Sequence, residues 1–156
     1  MPEETFATKS VDAIIAHHAE MVDELRRRVN VLVAAVALGE AAAPAAATVV
    51  DYLQSTILPH AASEEATLYA AASPFESRLV QSLVADHGTI RRLAAELAGT
   101  GEAVGSVATA GATAAFFTSH AAKENDYVLP TLAEEVPADL PALVHAMHEE
   151  FERRQP

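Results

Sequence analysis

Two pentapeptides hold the side chains best suited to chemistry: His60-Ala61-Ala62-Ser63-Glu64 and, sixty residues later, His120-Ala121-Ala122-Lys123-Glu124. On a helix, positions i and i+4 stack on one face, so each offers an imidazole and a carboxylate pointing the same way. By softness, mixed imidazole and carboxylate donors suit iron, manganese or zinc. The chain has no cysteine, which excludes a disulfide framework, an iron–sulfur cluster and a zinc–thiolate site. Any metal must be held by nitrogen and oxygen. The deciding question is whether the two faces look at water or at each other.

The elements that carry them read as long helices. Ser10 is a plausible N-cap, followed by the stripe Val11, Ile15, His18, Val22, Leu25, Val29, Leu32, Val36, with Gly39 as the stop. Pro44 opens a second stripe through Ala46, Val50, Leu53, Ile57, His60, Glu64, Leu68 and Ala71, with a kink expected at Pro59 and an end at Ser73-Pro74. A third helix is predicted from about Glu76 to Leu97 on the stripe Val80, Leu83, His87, Ile90, Ala94, Leu97. Gly99, Gly101 and Gly105 make the next connection. A fourth helix, about Val107 to Leu132, carries Thr113, Phe117, His120, Glu124 and then Tyr127 or Val128. After Pro137 a shorter helix, over about 138–154, carries Leu140, Val144, Met147 and Phe151. The expected fold is therefore all-α: an up-down-up-down four-helix bundle over about 10–132 with an added C-terminal helix, in one domain spanning 1–156.

Each long helix places one histidine on its inward stripe, and two add a glutamate. Counted from the helix ends at about 1.5 Å per residue, His18, His60, His87 and His120 fall at nearly one level in antiparallel neighbours. A carboxylate buried in an apolar bundle costs several kcal/mol unless it is protonated, paired or bound to a metal. The stripes contain no lysine or arginine, so a cation is the simplest compensation for Glu64 and Glu124. Taken singly, a core histidine or a His-x3-Glu pair is commonplace; the set of six on four stripes is what points to a metal, and to a dinuclear site.

The order His18, His60-x3-Glu64, His87, His120-x3-Glu124 resembles the hemerythrin-like (HHE cation-binding) domains, bacterial and mycobacterial members with two His-x3-Glu motifs above all. Leu58-Pro59-His60, Glu64-Glu65, Leu68-Tyr69 and Asp86-His87-Gly88-Thr89-Ile90-Arg91-Arg92-Leu93 match in local texture. The resemblance implies two non-haem Fe ions, oxo- or hydroxo-bridged, with Glu64 and Glu124 bridging. It puts His18 and His60 on one iron, His87 and His120 on the other. Arg91 stands where oxygen-carrying hemerythrins have a further histidine, and Asn125 where they have a carboxylate. Subtracting two bridging carboxylates, four imidazoles and the oxo or hydroxo bridge from two six-coordinate ions leaves one opening on each. Such openings imply reaction with H2O2, or binding of O2 or NO, more than storage. The alternative is an iron- or oxygen-sensing module read by a protein partner.

The remaining candidates are weaker. Tyr69 is a possible ligand but lies nine residues after His60, poorly phased on a straight helix. Glu65 can orient a ligand imidazole, and His17, next to His18, points off the stripe. His145 and His148 read as a solvated face of the last helix. A net charge of −12 with ten Lys and Arg argues against nucleic acid or an anionic membrane as partner. No apolar run reaches membrane-span length, and no secretory signal is visible around Met1-Pro2-Glu3-Glu4, so the expected location is cytoplasmic.

Overall fold

Alanine-rich segments punctuated by clustered Gly and Pro favour helix, and in the computed structural model the regular structure among the described residues, 2–155, is all helical, with side chains described from Phe6 onward. Met1 and Pro156, the ends of the expected domain, lie outside them. Among the described residues seven α-helices run in order: α1 (Pro2–Ala37), α2 (Ala42–Tyr52), α3 (Leu58–Ala66), α4 (Leu68–Gly99), α5 (Ala103–Lys123), α6 (Leu129–Glu135) and α7 (Leu140–Arg154). Residues Leu53–Ile57 and Glu124–Val128 continue α2 into α3 and α5 into α6 as π turns. The result is the up-down-up-down bundle with a C-terminal helix laid across it, α7 resting on α3 and α1.

The first helix begins at Pro2 instead of Ser10. Proline's fixed φ and missing N–H suit a first helical position, and the Ser10 hydroxyl bonds back to the Phe6 carbonyl at 3.0 Å inside the helix. Gly39 closes the helix as expected. Its φ of +74° is open to glycine at no steric cost, and the amides of Gly39 and Glu40 bond back to the carbonyls of Val36 and Ala35. The inward face of α1 differs in its first half. Ile14 and Met21 are buried, whereas Ile15 is 37% exposed. In the second strip Val49 and Ala72 are buried, replacing Val50 and Ala71, and on the fourth Val128 is chosen over the exposed Tyr127.

Both π turns precede Leu-Pro. Proline at position i has no N–H for the carbonyl at i−4 and its ring crowds that carbonyl. Widening the preceding turn relieves the clash: Leu58 N–H bonds to Leu53 O and Leu129 N–H to Glu124 O, each five residues back. The kink expected at Pro59 thus takes the form of a wide turn, and Pro130 does the same near the end of the fourth segment. The Ser55 carbonyl, four residues before Pro59, accepts instead from the Gln155 side chain at 3.0 Å, which ties the chain's end to the helix that carries His60.

Two breaks lie elsewhere than expected. At Thr67 (φ −126°, ψ −79°) the helix stops and restarts at Leu68. The chain then runs through Pro74, and the reversal falls at Glu76 (φ −129°, ψ 49°). Gly105 sits inside α5, not in the connection. A Cβ there would lie 2.9 Å from the Thr100 methyl, so glycine allows the short turn Thr100–Glu102 to fold close to the new helix.

The apolar core is split in two. One half gathers Met21, Leu25, Val29, Leu32, Val49, Leu53, Ile57, Ile90, Leu97 and Phe117. The other gathers Ile14, Leu68, Ala72, Leu83, Val128, Leu129, Leu132, Leu140 and Met147. His18, His60, Glu64, His87, His120 and Glu124, all buried, occupy the layer between them.

Candidate metal centre

The four histidines and two glutamates meet, as expected, inside the bundle. Their donor atoms form two groups: His18, His60 and Glu64; and Glu64, His87, His120 and Glu124. Glu64 belongs to both. One of its oxygens lies 2.9 Å from His60 Nε2 and 3.2 Å from His18 Nε2, and the other 3.6 Å from His87 Nε2. Glu124 spans the same gap, with one oxygen 3.3 Å from His120 Nε2 and the other 3.7 Å from His18 Nε2. Each carboxylate therefore turns one oxygen toward each pair of imidazoles.

Three imidazoles are oriented from behind. His18 Nδ1 donates to Asn125 Oδ1 at 2.7 Å, His87 Nδ1 to Glu65 at 2.7 Å, and His120 Nδ1 to Asp86 at 3.3 Å. These oxygens only accept, so the proton sits on Nδ1 and each Nε2 turns its lone pair inward. His87 and His120 then face one another with Nε2 atoms 2.9 Å apart, and His18 and His60 at 3.3 Å. Bare lone pairs at that separation repel, and a positive charge among them is the physical remedy. The donor set therefore fits a cation.

Without a metal, protons take that role. Burial alone would lower His18, but its hydrogen bond to Glu64 and the charges of Glu64 and Glu124 outweigh it and raise it to about 9. Burial likewise works against His120, which Glu124 raises. Burial would raise Glu64, yet the neighbouring His60 and His18 hold it well below the usual carboxylate range. Asp86, partly buried, is kept low by Lys123, at 2.7 Å, and by His120.

Tyr69 reaches the centre. The break at Thr67 rotates the helix that follows, so the straight-helix phasing no longer applies. The Tyr69 hydroxyl donates to Glu124 in a short hydrogen bond, lies 3.4 Å from His87 Nε2, and its ring stacks on His87. Burial, then the charges of Glu64 and Glu124, raise it far above an ordinary phenol, so it stays a donor. Glu65, half-buried, holds His87 as described. His17 joins neither donor group. Its ring stands 5.1 Å from that of His60, and burial followed by the neighbouring His60 and His18 lowers it to about 4. His145 and His148 are exposed, and His145 pairs loosely with Glu149 at 3.5 Å. Arg91, one turn beyond His87 on α4, is exposed and contributes no donor to the centre.

Sequence reasoning missed the supporting roles of Asn125 and Asp86. Both sit beside a recognised motif residue, but which helix each faces depends on rotational settings that no single-helix pattern contains.

The family model for the hemerythrin HHE cation binding domain matches residues 9–132. The chain belongs to that family. The match spans the four-helix hemerythrin-like bundle with all six candidate donors and stops short of α7. No curated protein and no solved structure matches the chain. A hemerythrin HHE domain binds metal cations, and this one has the His/Glu cluster to do so. Among the described residues, no helix is long and apolar enough to cross a membrane.

Proposed function

We propose that this chain is a non-haem di-iron protein that binds and reacts with a small oxidant, hydrogen peroxide first and dioxygen or nitric oxide next. The observation that supports it is the pair of buried carboxylates, each with one oxygen toward each histidine pair, among imidazoles whose Nε2 lone pairs point inward. His18, His60, Glu64, His87, His120 and Glu124 would hold the two ions. Bound iron would supply the electrons and Lewis acidity that peroxide decomposition or diatomic binding requires.

The chain's own residues set the conditions. Asn125, Glu65 and Asp86 hold the imidazoles in one tautomer. Tyr69 keeps a proton at its hydroxyl beside Glu124, where it can donate to an oxygen that gains charge. The two apolar half-cores exclude bulk water. With Arg91 turned outward, α4 gives one imidazole only, which leaves room for an exogenous ligand.

The test is metal analysis with a visible spectrum, followed by peroxide on an oxygen electrode. Two irons per chain, near-ultraviolet oxo-to-ferric absorption and oxygen release that a His60→Ala variant loses are expected. One zinc with no visible absorption would overturn the redox reading.

A second reading, an iron- or oxygen-sensing module, draws on α7. This helix sets Phe151 6.2 Å from the His60 ring and ties Gln155 to Ser55. It requires metal-free and loaded forms to differ in protease sensitivity near α7, and identical digestion patterns would reject it.

A further inference from the structure

Beside the centre, α7 and α1 enclose a cleft of about 200 Å³ lined by His17, His60, Met147, His148, Phe151 and Glu152. His60 is thus a wall of the cleft and a member of the buried donor set at once. It is also the one centre imidazole whose Nδ1 has no acceptor among the described residues, the other three being held by Asn125, Glu65 and Asp86. From the surface inward the imidazole and carboxylate side chains of the cleft form a graded series: His148 and Glu152 exposed, His17 half-buried, His60 3% exposed. His148 and Glu152 stand at i and i+4 on α7, facing the same way. The ring centroids of His17 and His148 are 6.4 Å apart. At metal–nitrogen distances of about 2.1 Å, two imidazoles on one ion have centroids roughly 6.5 Å apart only when they stand opposite each other across it, and closer otherwise. The donors of His17, His148 and Glu152 are not gathered as those of the centre are, so the exposed His148 and Glu152 side chains must swing toward His17 to close on an ion. The next step is shorter, 5.1 Å from His17 to His60.

We propose that His17, His148 and Glu152 form a loading site, which captures a divalent first-row transition-metal ion at the mouth of the cleft and passes it inward to His60. The proposal rests on the metal-centre reading and adds to it a route and a set of residues, two of them on the helix that lies outside the family match. The chemistry suits transit. Two imidazoles and one carboxylate form an incomplete, solvent-open set, weak enough to release an ion to the six-donor centre behind it. The surplus of acidic residues on the chain draws cations toward the surface.

The experiment follows Co2+ uptake by the metal-free protein in a stopped-flow spectrometer, with Co2+ limiting, in wild type, the exposed double variant His148→Ala/Glu152→Gln, and the control Glu134→Gln. The double variant should load about ten-fold more slowly, with unchanged final stoichiometry and affinity. Affinity being unchanged, release to excess chelator should slow by the same factor. The control should load at the wild-type rate. Equal rates in wild type and double variant would overturn the loading site and leave the centre standing. So would an equal slowing in the control, which would assign the effect to overall charge, or a loss of bound metal in the double variant, which would make the residues permanent ligands. A wild type that binds no Co2+ would overturn the centre itself, and the loading site with it.

Discussion

Metal loading should displace a proton from His18, and the structure fixes how that exchange depends on pH. In the metal-free protein the His18 imidazole, 2% exposed and beside Glu64 and Glu124, is raised to about 9. At pH 7 it is almost fully protonated, and a ligand nitrogen must lose that proton to bind a metal. One proton should therefore be released from His18 per chain at pH 7, half a proton near pH 9, and almost none above pH 10. Working about two units below that value costs about 3 kcal/mol, so apparent affinity should rise roughly 50-fold from pH 7 to pH 9, where half the protons are already gone, through this group alone. The sign for stability is the reverse. A raised imidazole contributes stability that is fully present below its unfolded value of about 6.5 and is lost as pH rises through about 9. The metal-free protein should thus lose about 3 kcal/mol across that window, whereas the loaded protein, with an ion in the proton's place, should not. Titration calorimetry with Zn2+ in buffers of different ionisation enthalpy counts the protons, and thermal melts with and without chelator read the stability. Zn2+ binding at pH 7 without proton release, or a metal-free melting temperature that is flat from pH 6.5 to 9.5, would refute the reasoning.

Three substitutions probe other parts of the arrangement. Asp86→Asn weakens the acceptor behind His120 and should lower metal affinity about 10–100-fold in chelator competition, with the helical circular dichroism unchanged. Tyr69→Phe keeps the ring stack on His87 but removes the hydrogen bond to buried Glu124, and should cost about 1–3 kcal/mol in denaturant unfolding of the metal-free protein. Leu83→Ala, at a position with no exposure in the smaller half-core, should cost about 2–5 kcal/mol by the same assay without changing metal stoichiometry.

The parts of the fold legible in the sequence are those where the α-helix stays regular. On α4 beyond Glu76 every residue of the expected stripe, from Val80 through His87 to Leu97, is buried. The six candidate donors were legible for the same reason, since each His-x3-Glu pair and each lone histidine lies on a locally straight face. Where the helix departs from 3.6 residues per turn, phase is lost. Val50 yields to Val49 just upstream of the first π turn, and a helical count from His60 misplaces Tyr69 because Thr67 intervenes. Adjacent apolar residues raise a separate ambiguity. Ile14 and Ile15 serve equally well in a pattern, and only the helices packed against α1 decide that Ile14 turns inward.

The division of the core gives these departures a common physical sense. A layer of six ionisable side chains between two apolar half-cores must be met from four helices at one height, and a perfectly regular helix offers only fixed rotational settings at that height. The π turn before Pro59 and the break at Thr67 flank His60 and Glu64, and the second π turn begins at Glu124 itself. Each changes the rotation of one flank relative to the other. Leu53 and Ile57 can then face one half-core while Leu68 and Tyr69 face the other, with His60 and Glu64 held between. Proline is the device that makes such a wide turn preferable to a straight one, so Leu58-Pro59 and Leu129-Pro130 belong to the construction of the centre as much as the histidines do. Of the two histidine-bearing helices without a π turn, α4 reads correctly along its whole expected stripe, and α1 departs from it in its first half, where Ile14 turns inward in place of Ile15.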